Sequence, residues 1–222
     1  MVYEKDGVKL YYEETGEGEP VLLLHGNGED HTIFDVLAKQ LADSGFHVWA
    51  PDSRGHGQSS AAEHLDYSRM AEDMAGLIRE RIGRPVCLYG FSDGGILGLL
   101  LALRYPELLT KLVISGANLY PGGLKRSVLL GMKFSWFLHR DPKVKMMLTQ
   151  PQIKAEELKM ISVPTLVLAG SRDMIRESHT REIAEHIPGA RLQILPGESH
   201  GSYVIHSDKL FGIMREFLRE ER

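Results

Sequence analysis

The sequence contains one cysteine, Cys87, among 222 residues, so no disulfide can form within the chain. A lone cysteine in an apolar stretch is expected to serve as a small buried hydrophobe. Long apolar runs are missing as well. The longest lies near Leu99 to Leu103, far too short to span a bilayer. Basic residues are in slight deficit, 26 against 30 acidic ones, for a net charge of −4, which leaves no global field to draw nucleic acid. The first residues, Met1-Val2-Tyr3-Glu4-Lys5-Asp6, lack the apolar core of a secretory signal, and a cytoplasmic location is expected. Despite ten histidines, no His-Glu-x-x-His and no Cys/His pair at ligand spacing occurs. Neither a metal nor another cofactor is therefore expected.

What is present is an ordinary globular composition, 43% hydrophobic and 25% charged, at a length suited to one α/β domain over residues 1–222. Two alternating pieces, Val2 to Lys5 and Val8 to Glu14, flank Asp6-Gly7 and read as an antiparallel hairpin. The continuous run Val21-Leu22-Leu23-Leu24 reads as a central strand covered on both faces. Helices and strands then alternate: a helix over 33–44 closed by Gly45, a strand over 46–50, a helix over 67–82 stopped at Gly83, a strand over 85–89, a helix over 96–104 and a strand over 112–115. After a lapse from about 118 to 160, the rhythm resumes with a strand at 165–169, a helix at 180–186, a strand at 192–195 and a last helix at 208–219. The pattern predicts an α/β fold with a mostly parallel central sheet and helices on both faces. Segment 118–160 is expected to form a short helical lid above one end of the sheet.

Gly90-Phe91-Ser92-Asp93-Gly94 carries the chemistry. Small residues two before and two after the serine allow a sharp strand-to-helix turn that exposes its hydroxyl. The plainer use of such a serine is to cap the helix that follows. A serine hydroxyl is a poor nucleophile without a base, and functional groups of an open α/β sheet gather beyond the carboxyl ends of its strands. Asp173 follows one predicted strand in Gly170-Ser171-Arg172-Asp173, and His200 follows the next in Pro196-Gly197-Glu198-Ser199-His200-Gly201. Asp173 has a simpler alternative as a cap for the helix near Glu177, and His200 as a surface histidine.

The order Ser92, Asp173, His200 resembles that of the α/β-hydrolase superfamily, in its group of small cofactor-independent serine hydrolases. The likeness extends to His25-Gly26-Asn27-Gly28 after an apolar strand and to Asp52-Ser53-Arg54-Gly55-His56-Gly57-Gln58-Ser59. The resemblance implies that Ser92 is the nucleophile and His200 the base, with Asp173 holding the histidine tautomer. It also implies an oxyanion hole made by the backbone N–H groups of Asn27 and Asp93, with the Asp93 side chain turned from the line of attack. His25, His56, Asp52 and Arg54 would serve their loops. Superfamily members often carry proline shortly after the acid, whereas Met174-Ile175-Arg176-Glu177 stands here.

Within the expected lid, Met132, Trp136, Phe137 and Met146 are candidates to line an apolar substrate pocket, or simply to pack the lid onto the sheet. Residues 118–160 hold eight lysines and arginines against three acids, so the segment carries +5 and the remainder −9. Attraction of an anionic substrate or surface follows from that imbalance, as does the blander reading of a solvated exterior. The expected activity is hydrolysis of a carboxylic ester, or a thioester, through an acyl-Ser92 intermediate. Carbon–carbon bond hydrolases, acyltransferases, peptidases and perhydrolases share such a site. A ligand-binding or signalling protein with little turnover is the alternative from another class.

Overall fold

The computed structural model describes residues 1–62 and 64–220. Eight strands form one sheet: β1 (Val2–Lys5), β2 (Val8–Thr15), β3 (Glu19–Leu24), β4 (Phe46–Pro51), β5 (Val86–Phe91), β6 (Leu109–Ser115), β7 (Thr165–Gly170) and β8 (Arg191–Leu195). Their order is β1-β2-β4-β3-β5-β6-β7-β8. The β1–β2 and β2–β4 pairs are antiparallel, and every pair from β4 to β8 is parallel. The hairpin expected at Asp6-Gly7 is present. Both residues take positive φ, 50° and 77°, as the right-handed twist of a two-residue turn requires.

The central strands are buried along nearly their whole length because helices cover both sides. Two apolar clusters result. One gathers α2 (Tyr67–Leu77), α3 (Asp93–Arg104) and α6 (Glu177–His186) around Leu22, Leu88 and Leu112. The other gathers α1 (Asp35–Asp43) and α7 (Lys209–Arg219) around Val21, Leu23 and Tyr89. Alternate residues of β3 thus feed opposite clusters, the two-residue period of a strand made visible. Cys87 is buried on β5 in the second cluster, and burial pushes its thiol up to about 12.

Element positions follow the sequence pattern, and boundaries shift for local reasons. The helix expected over 67–82 ends as α-helix at Leu77 and continues as a wider π turn to Gly83, which closes it at φ 76°. The helix expected to begin at Ile96 begins at Asp93, directly behind the serine. Between β6 and β7 lie α4 (Arg126–His139), α5 (Pro142–Thr149) and a short turn of 3-10 helix, Ala155–Met160.

The chain runs from β3 to β4 on one side and then crosses to β5 on the other. The loops after β3 and β5 therefore diverge at a switch of strand order, where an open parallel sheet leaves a crevice.

Candidate active site

Three of the sequence-selected side chains meet at that crevice. Ser92 follows β5 at φ 54° and ψ −113°, a conformation that non-glycine residues rarely hold. The turn is fixed from outside: the Ser92 N–H donates to the Ser115 carbonyl at 2.8 Å and the Gly94 N–H to the His25 carbonyl at 3.1 Å. It is also fixed by what it excludes. A Cβ at residue 90 would strike the Gly94 backbone, and one at 94 would strike the Leu24 carbonyl, so both flanking positions need glycine. The His200 Nε2 lies 3.0 Å from the Ser92 Oγ. The His200 Nδ1 lies 2.7 Å from the Asp173 Oδ1, which also accepts the Ile175 N–H at 2.9 Å. Asp173 is buried, and among the described residues its Oδ2 has no hydrogen-bond partner. The Phe91 ring packs tilted against the imidazole at 4.9 Å between centroids.

The loop after β3 completes the crevice. His25 is buried and spans two backbones: its Nδ1 sits 2.7 Å from the Gly26 carbonyl, and its Nε2 accepts the Ser53 N–H at 2.9 Å. That pair of bonds fixes the Nδ1–H tautomer. Desolvation pulls its pKa down to about 4, so the ring is neutral and structural. His56 lies 5.2 Å away between ring centroids, and its Nδ1 sits 3.1 Å from the Arg54 carbonyl. Asp52 accepts from the His31 N–H at 2.8 Å and the Gln58 N–H at 2.7 Å, and Arg54 grips Asp73 through two bonds of 2.5 and 2.6 Å. All four are loop-holding residues.

One connection has no forerunner in the sequence pattern. The buried Asp93 carboxylate accepts the Asn27 side-chain N–H at 2.9 Å and the Tyr67 hydroxyl at 2.7 Å. The loop after β3 is thereby tied to the turn after β5 and to the start of α2. Burial pushes the Asp93 carboxyl up, while the two donors pull it back. The same burial, with the carboxylate beside it, pushes the Tyr67 hydroxyl well above its usual value, so that it stays a donor. Among the described residues the backbone N–H groups of Asn27 and Asp93 donate no hydrogen bond. Glu29, beside them, accepts the Gly26 N–H at 3.0 Å, and desolvation raises its carboxyl.

The candidate pocket residues differ in burial. Met146 is buried in the larger cluster with Leu119 and Ile153. Met132 and Trp136 are half-buried on one side of α4, whereas Phe137 stands on its outer side, exposed to solvent. The periodicity of α4 separates Phe137 from Trp136 by about 100° and sends the two rings to different sides. One triad of potential metal ligands, Asp30, His31 and Asp52, lies within 4.8 Å among the described residues. Asp52 is already used by His31 and Gln58, so the group works as a latch.

The family model described as alpha/beta hydrolase fold matches residues 19–145. The chain belongs to that family. The alpha/beta hydrolase is 29% identical over 245 residues to the human serine hydrolase BPHL, covering 96% of this chain and 84% of the relative. It is 28% identical over 241 residues to the mouse sn-1-specific diacylglycerol lipase ABHD11, covering 85% and 76%. In structure it superposes on an esterase from Exiguobacterium antarcticum with a TM-score of 0.83 and 24% identity, over 97% of each chain.

Proposed function

We propose that this alpha/beta hydrolase cleaves a carboxylic ester, or a thioester, by acyl transfer to Ser92. The observation that carries the reading is the unbroken chain Asp173 Oδ1–His200 Nδ1 at 2.7 Å and His200 Nε2–Ser92 Oγ at 3.0 Å. In that chain the carboxylate holds the proton on Nδ1 and leaves Nε2 free to accept. Nε2 takes the Ser92 proton as Oγ attacks the carbonyl carbon. The oxyanion forms against the Asn27 and Asp93 backbone N–H groups, each worth about 10²–10³ in kcat. His200 then returns the proton to the departing alcohol or thiol, leaving acyl-Ser92, and water repeats the cycle to release the acid.

Ester chemistry is favoured over its competitors by kinship with a serine hydrolase and a diacylglycerol lipase across most of the chain. Segment 118–160 would act as the lid, with Met132 and Trp136 on its inward side as candidate walls for the acyl group. The test pairs a fluorophosphonate probe with turnover of p-nitrophenyl esters. Labelling and turnover that both vanish in Ser92→Ala support the reading. An unreactive Ser92 with no turnover of any ester would instead identify a protein that binds without cleaving.

A further inference from the structure

Helix α4 is apolar on two sides. No residue of this 14-residue helix is buried. Met132 and Trp136 share a half-buried side, while the opposite side presents Leu130, Phe134, Phe137 and Leu138 at 58, 66, 65 and 54% exposure. At about 100° per residue these four fall within one arc of roughly a third of the circumference. The charges lie at its border. Arg126 and Lys133 project along one edge, and the Arg140 guanidinium packs 4.4 Å from the Trp136 ring centroid and 5.6 Å from that of Phe137. The segment around the helix carries eight basic residues against three acidic ones.

A helix in water does not keep two large phenylalanines and two leucines on its solvent side without a use for them. We propose that α4 is a docking helix for an anionic lipid surface. The apolar arc enters the headgroup layer, and Arg126, Lys133 and Arg140 meet the acidic headgroups. An apolar stripe bordered by Lys and Arg has the composition of a helix lying in an interface, and among the described residues no helix is long and apolar enough to cross a membrane. Charge decides against a second copy of this chain as occupant. A twofold contact through this face would set one +5 segment against another, whereas an acidic surface complements it.

The proposal does not depend on Ser92, and Ser92→Ala should bind as the wild type does. The experiment is co-sedimentation of the full chain with phosphatidylcholine vesicles with and without phosphatidylserine. Binding should be at least about tenfold stronger to phosphatidylserine vesicles and should weaken with salt. Leu130→Ser/Phe134→Ser should lose about tenfold in binding, and Lys133→Glu/Arg140→Glu should lose the preference for acidic lipid. Circular dichroism melts check that the variants fold, and the wild-type comparison of the two vesicle types needs no variant. Equal or absent binding to both vesicle types overturns the proposal. So does a dimer in lipid-free buffer, seen by light scattering, that Leu130→Ser/Phe134→Ser converts to monomer.

Discussion

Gly116 and His200 are packed so closely that the glycine has no room for a side chain. A Cβ at residue 116 would stand 2.6 Å from the imidazole Cε1 and 2.9 Å from Nδ1, and the backbone there holds φ 62°. The end of β6 is the floor on which the proposed base rests. Gly116→Ala should tilt the imidazole out of line with Ser92, and an error of about 1 Å in such a group costs about a hundredfold in kcat. Ester kinetics and fluorophosphonate labelling rates should fall together, with KM little changed. Full activity in this variant would show that the imidazole position is not set by the strand end.

Asn27 and Asp93 offer a second check. The side-chain bond between them ties together the two loops whose backbone N–H groups would hold the oxyanion. Asn27→Ala keeps the backbone donor and removes the tie. We expect about a tenfold loss in kcat, smaller than deletion of a donor outright, with KM nearly constant. A change confined to KM would assign the pair to substrate binding instead.

Stability should fall on mild acidification, and buried histidines set the sign. Burial holds the folded His25 at about 4 against an ordinary 6.5, and His56 and His179 are depressed for the same reason. Below about 6.5 the unfolded chain takes up protons that the folded chain does not, until the folded rings titrate. The His25 shift corresponds to about 3 kcal/mol lost across that window. Glu29 and Asp93, raised by burial, work in the opposite sense, because their folded forms hold a proton to higher pH than the unfolded chain does. On acidification the histidines begin to count at about 6.5, above the ordinary carboxyl range of about 4. Thermal melts near pH 7 and near pH 5 should therefore show a lower midpoint at the acidic end, and equal midpoints contradict this account.

Lys111 holds the last helix in place. Its ammonium, on β6 and buried, donates to the carbonyls of Phe217, Leu218 and Glu220 at 2.7, 2.9 and 2.6 Å, capping the C-terminal end of α7. A cation there meets the negative end of the helix and the carbonyls that the helix leaves unpaired. Lys111→Met keeps the apolar stem and loses the cap. Urea unfolding should show about 2–3 kcal/mol less stability.

The order of elements was legible in the sequence because strand and helix periods are local. The run Val21 to Leu24 can be apolar at every position only if both faces are covered, and β3 does feed both clusters. Ser92 could be singled out for a related reason. Its turn requires glycine at 90 and 94 whatever the rest of the chain does. Asp173 and His200 were found by position after strands, a rule of topology that needs no distances.

Contacts between segments far apart in the chain were decided only by the tertiary structure. No local pattern announces that Tyr67 reaches Asp93, that Gly116 floors His200, or that Lys111 caps a helix more than a hundred residues later. The outward turn of Phe137 is of the same kind. Composition put an aromatic residue in the 118–160 segment, and the rotation of one helix chose which side of it water would touch. Periodicity lists the faces of an element, but packing against the rest of the chain selects which face is covered.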